Sequence, residues 1–200
     1  MNAMLHGVMG ALLVFATITA FAQEAASEKE NFPTTEEITL VVGQAETAFN
    51  RYKLSVDREA TLPQSIQDKS GVAKDRQLLS TAVTVIKGLK KKPEVFHGLG
   101  GLLLLSQLDD ASRNAVLCAS QSNGEAALNL LSQHDAALAQ ELLATAQQCM
   151  DASTLLYSVS ESVHALLVRE VESQDILNGQ AIEALNRCKE IVNNRPHPRK

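Results

Sequence analysis

The fold turns on the stretch LAQELLATAQQCMDASTLLYSVSESVHALL, Leu138 to Leu167. In it, Leu138, Leu142, Thr145, Cys149, Ala152, Leu156, Val159, Val163 and Leu166 recur at alternating steps of four and three. All but Thr145 are apolar. That spacing keeps one side of an α-helix facing the same way, turn after turn. Neither Gly nor Pro occurs from Glu125 to Asn178, so nothing there interrupts a helix. Leu143, Ala146, Met150, Tyr157 and Leu167 form a second apolar stripe beside the first. So wide a surface predicts a central bundle helix or an oligomer seam. No Lys or Arg lies between Arg113 and Arg169, and the only charges there are Glu125, Asp135, Glu141, Asp151 and Glu161.

Other helices read outward from this one. Thr34-x-x-Glu37 is a capping box, in which the Thr oxygen takes a free N–H and the Glu reaches back. Ile38, Val41, Val42, Ala45, Ala48, Phe49, Tyr52 and Val56 then mark one buried face of a first helix. Leu62 to Gly71 reads as a loop. A second helix spans Val72 to Lys91, with Leu79, Ala82, Val83, Ile86 and Leu89 inward. Its closing lysines, Lys90 to Lys92, suit the negative end of the helix dipole.

Pro93 fits the first position of a third helix, running through Leu99, Leu102, Leu103, Ala111 and Ala115 to near Gln121. Gly98, Gly100 and Gly101 weaken its start by roughly 1 kcal/mol each, or mark a close approach by another helix. Asn178-Gly179 predicts a turn before a last helix, Gln180 to Val192, presenting Ile182, Leu185, Cys188, Ile191 and Val192. The expected architecture is all-α: an up-and-down bundle of four to five helices with one long central helix, over residues 34–193.

Composition agrees. Hydrophobic residues make up 45% of the 200-residue chain and charged residues 20%, the balance of a globular protein. Ten Gly and five Pro are too few for the turns of a sandwich or barrel. Trp is absent, so the core is aliphatic. A net charge of −5 argues against nucleic acid as a partner.

Met1 to Ala22 carries no Asp, Glu, Lys or Arg, and Val8 to Ala20 is almost wholly apolar. It ends in Ala20-Phe21-Ala22, the small-x-small pattern of signal peptidase. We read residues 1–22 as a secretory signal peptide, which makes the protein secreted or periplasmic. The run is short for a transmembrane span, so after cleavage no membrane association is expected. Residues 23–33 are a polar lead-in and residues 194–200 a polar tail with two prolines.

In an oxidising compartment Cys118, Cys149 and Cys188 predict one disulfide and one remaining thiol, or an intermolecular bridge. A hairpin turning near Asn123 would leave Cys149 about 39 Å from the turn and Cys118 about 8 Å, too far apart to bond. A break near Ser132-x-x-Asp135 would let Cys118 and Cys149 meet.

Two Glu-x-x-His motifs, Glu94 to His97 and Glu161 to His164, match the pattern by which ferritin-like bundles hold two metal ions, with Glu46 and Glu141 as further carboxylates. Helical angles weaken the match, because Glu161 falls on the far side from the seam and His164 on its flank. Glu94 is also explained by the dipole of a first turn. The motifs of hydrolase elbows, zinc proteases, redox pairs and covalent haem are absent, and no cofactor is implied.

The reading favoured by the residues is an exported helical bundle without evident catalytic activity. It would act by self-association, or by binding a protein partner through the uncharged face of the long helix. The candidate residues of that face are Gln140, Gln147, Gln148, Ser158, Ser160 and Ser162. The di-metal bundle is the alternative.

Overall fold

A computed structural model describes residues 32–193, with residue 134 left out. The expected signal peptide and polar tail lie outside these residues. Five α-helices are present among the described residues: α1 Thr35–Glu59, α2 Gln64–Ser70, α3 Val72–Lys91, α4 Leu99–Leu128 and α5 Ala136–Asn193. A 3-10 turn, Pro93–Phe96, precedes α4, and a π-helical turn, Asn129–Gln133, joins α4 to α5. The chain divides into two compact units at Leu167. Thr34–Leu167 is the bundle; the second unit is described from Val168 to Asn193 and is helical throughout.

The bundle is held by one large apolar core, aliphatic but for Phe49, Tyr52 and Phe96, and by two smaller clusters, one around Leu62 and Leu142 and one around Cys118 and Cys149. Every expected inward residue of α1 is buried, and the capping box is formed: Thr34 Oγ1 accepts from the Glu37 amide, and Glu37 Oε2 accepts from the Thr34 amide. Helix α3 has the expected bounds and buries Leu79, Ala82, Ile86 and Leu89, but Val83 is exposed. The α5 seam packs into the same core through Ala152, Leu156, Val159, Val163 and Leu166. Salt bridges run along the outside: Lys90 to Glu46 at 2.7 Å, Arg51 to Asp151 at 3.6 Å, Lys69 to Glu125 at 2.8 Å.

Four expectations need correction. The stretch after Leu62 is not all loop: Gln64–Ser70 forms α2, ended by Gly71 in the left-handed conformation that suits glycine. Pro93 opens a 3-10 turn rather than α4, which starts at Leu99. Leu99, Leu102 and Leu103 are exposed, and Gly100, Gly101, Leu104 and Leu108 face inward instead. The glycines are the reason. A Cβ on Gly100 would collide with the Val95 carbonyl, and one on Gly101 would lie 2.8 Å from Leu167 and 2.9 Å from the Phe96 carbonyl. The ring of Phe96, fully buried, packs against Gly101, and the Leu89 side chain packs against Gly100.

The fourth correction concerns Asn178-Gly179, which makes no turn; α5 continues through it, and Ile182 is exposed. One helical glycine costs about 1 kcal/mol, too little to stop a helix flanked by strong formers. The side chain of Cys188 lies outside the described residues.

The α4–α5 hairpin turns where the cysteines require. Asn129 Nδ2 donates to the Glu125 carbonyl, satisfying an acceptor at the end of α4. Asp135 Oδ1 accepts from the Leu138 amide and caps α5. Cys118 and Cys149 are disulfide-bonded, with Cα atoms 6.1 Å apart. Such a bond belongs to an oxidising compartment. No helix among the described residues is long and apolar enough to cross a membrane.

Candidate functional site

Three features of the bundle are not explained by packing alone. The first is the outer stripe of α5. Leu143, Met150 and Tyr157 stand one heptad apart and are exposed by 47%, 46% and 61%. Their neighbours on the inner seam, Leu142, Cys149 and Leu156, are all buried. The helix is therefore filled on one side and leaves large apolar groups facing water on the other.

The expected polar face on the same helix is not one surface. Gln140, Gln147 and Ser158 are exposed, whereas Gln148 and Ser162 are half-buried. Ser160 is buried and donates to Asp109 Oδ1 on α4, because its position on the helix lies on the bundle side. Gln147 donates to Asp151 and Ser162 to the Ser158 carbonyl, so both are engaged within α5.

The two Glu-x-x-His motifs lie apart in character. Glu94 sits in the 3-10 turn and His97 just after it, while Glu161 and His164 are on α5; all four are exposed. Glu46 is held by Lys90, and Glu141 is exposed. Among the described residues, no three His, Cys, Asp or Glu side chains gather as a metal site would need.

The second feature is a buried polar group. Tyr52 of α1, Asp75 of α3 and Asn114 of α4 meet inside the bundle, and Asn114 Nδ2 donates to Asp75 Oδ1 at 2.7 Å. Burial pushes the Asp75 carboxyl above its usual range, although Tyr52 and Asn114 partly offset this. Burial, and then the Asp75 charge, push the Tyr52 phenol upward too. The Tyr52 hydroxyl is buried without a hydrogen bond of full geometry. Periodicity places Tyr52 on the inner face of α1 but holds no hint of this cluster, because Asp75 lies where a first-turn acid is ordinary.

The third is a cavity of about 430 Å³ between α1, α2 and α4. Glu59 and Ser122, 2% and 3% exposed, line it together with Ile66 and Leu128. The Lys69–Glu125 ion pair stands at its edge. Sequence reasoning missed it because α2, which supplies Ile66 and Lys69, reads as loop.

No protein-family model matches the chain, and neither does any curated protein or solved structure.

Proposed function

We propose that this is an exported, non-catalytic helical bundle that works by self-association through the outer stripe of α5. Leu143, Met150 and Tyr157 carry the reading: large, exposed and one heptad apart on a helix whose inner seam is already filled. Two such stripes meeting about a two-fold axis would cover each other's exposed Leu, Met and Tyr side chains. From Gln140 to Ser160 the only charges are Glu141 and Asp151, and Asp151 is ion-paired with Arg51. A second copy therefore meets the stripe with little like-charge repulsion, and a partner chosen by charge finds little to read.

Export to the periplasm or the medium is supported by the apolar run ending in Ala20-Phe21-Ala22 and by the Cys118–Cys149 bond.

Sedimentation of the processed protein at rising concentration tests the reading. The expected result is a dimer below about 1 mM, where association is worth roughly 4 kcal/mol or more. The double variant Leu143→Glu, Tyr157→Glu should be monomeric with an unchanged helical spectrum. A wild type that stays monomeric throughout sinks the proposal, and so does a double variant that dimerises as well as wild type.

A further inference from the structure

A second cavity, of about 400 Å³, opens between the end of α1 and the side of α5. That is room for a small molecule. Leu54, Arg58, Thr61 and Leu62 line it from α1 and the chain just after it, and Glu141 and Gln148 line it from α5. Among the described residues, neither the Arg58 guanidinium nor the Glu141 carboxylate forms an ion pair or a hydrogen bond, with each other or with a third group. Arg58 is half-buried all the same. The dipole of α1 accounts for a cation in its last turn, but not for one partly stripped of water and left unpaired. Gln148 is half-buried too, and its Oε1 is withdrawn from water without a donor. A buried acceptor left unmet is rare.

The two opposed charges select what fits. A lone anion would satisfy Arg58 and meet like charge at Glu141. A lone cation would do the reverse, and a neutral molecule would leave both without a charge-assisted bond. A zwitterion answers both, and can bridge a guanidinium and a carboxylate that do not touch. We propose that this cavity binds a free α-amino acid with an aliphatic side chain. Its carboxylate takes N–H donors from Arg58, and its ammonium donates to the Glu141 carboxylate. Its side chain lies against Leu54, which is 57% exposed, and Leu62. The Gln148 carboxamide, turned about its last bond, accepts a further N–H of the ammonium. Leu143, Met150 and Tyr157 do not line the cavity, so the oligomeric state leaves this site untouched.

Titration calorimetry or amide chemical shifts test it on the whole processed protein with three probes of one shape. These are leucine, 4-methylpentanoate (leucine without its ammonium) and 3-methylbutylamine (leucine without its carboxylate). The expected result is leucine binding at least about tenfold tighter than either analogue, since tenfold is what one charge-assisted bond supplies. Arg58→Gln should bind leucine no better than the amine. Glu141→Gln should bind leucine no better than the 4-methylpentanoate, and at an exposed position it should keep the wild-type fold, so it decides the matter even if Arg58→Gln does not fold. Leucine that fails to bind at about 10 mM, leucine bound no tighter than an analogue, or wild-type leucine affinity in either variant each overturns the proposal.

Discussion

Along the α5 side of the core, from Leu142 to Leu166, no buried side chain is ionisable. Across from it, α1 and α3 bury Tyr52, Glu59 and Asp75. The α5 seam needs only shape: apolar burial yields about 25 cal/mol per Å² without any partner. The one hydroxyl on the seam itself, Thr145, bonds to the Glu141 carbonyl one turn back, while Ser153 and Ser160 beside the seam reach Ser112 and Asp109 on α4. The opposite side depends on particular neighbours, because a buried acid is costly wherever its surroundings do not answer it. The seam therefore specifies the bundle, and the α1–α3 side is where a role beyond packing has room to sit.

The sharpest way to break this contrast is at Leu156, which is fully buried. Leu156→Ala should cost about 2–5 kcal/mol of unfolding free energy, read from urea denaturation with an unchanged slope. A loss under about 1 kcal/mol would mean the seam is not the organising face.

Reducing Cys118–Cys149 comes next. The two are 31 residues apart, and opening a loop of that size should cost roughly 3–4 kcal/mol on the chain-entropy model. Denaturation with and without reductant measures it.

Asp75→Asn should act the other way. The carboxyl of Asp75 is raised in the folded protein, so on raising the pH the unfolded chain releases this proton first. Stability then falls from the ordinary carboxylate range up to the native pKa and stays level above it. Asparagine can still accept from Asn114, so the variant should be more stable at neutral pH and should lack that slope. A variant that is less stable at neutral pH would show that the charge itself holds the cluster together.

The smallest effect is expected at Thr145→Val, within about 1 kcal/mol of wild type, because the lost hydroxyl bonds only within its own helix. A larger loss would make the seam as partner-dependent as the opposite side.

Periodicity exposed most of the bundle because it reports burial directly. All eight inward residues of α1 and eight of nine seam positions on α5 are buried, with Leu138 half-buried. It failed at the start of α4, where two glycines, not three leucines, make the inner face. Glycine carries no hydropathy signal, so close approach to Val95 and Phe96 is invisible in the pattern. Ser160 failed for a related reason: a serine reads as surface until its Asp109 partner on another helix is known. The pairing of Cys118 with Cys149 was legible only through the position of the turn, which Asp135 marks as a cap. The cavity was hidden because α2 is only seven residues long and shows no period of its own.

The Cys118–Cys149 bond encloses the whole α4–α5 turn, Asn129 to Asp135. Leu131 and Ser132 in that turn are exposed, as a protease would need. A single cut there yields two peptides that remain one molecule. Such a nick is silent under non-reducing electrophoresis and leaves both halves of the hairpin tethered, so this turn is a place where the chain can be cleaved without coming apart.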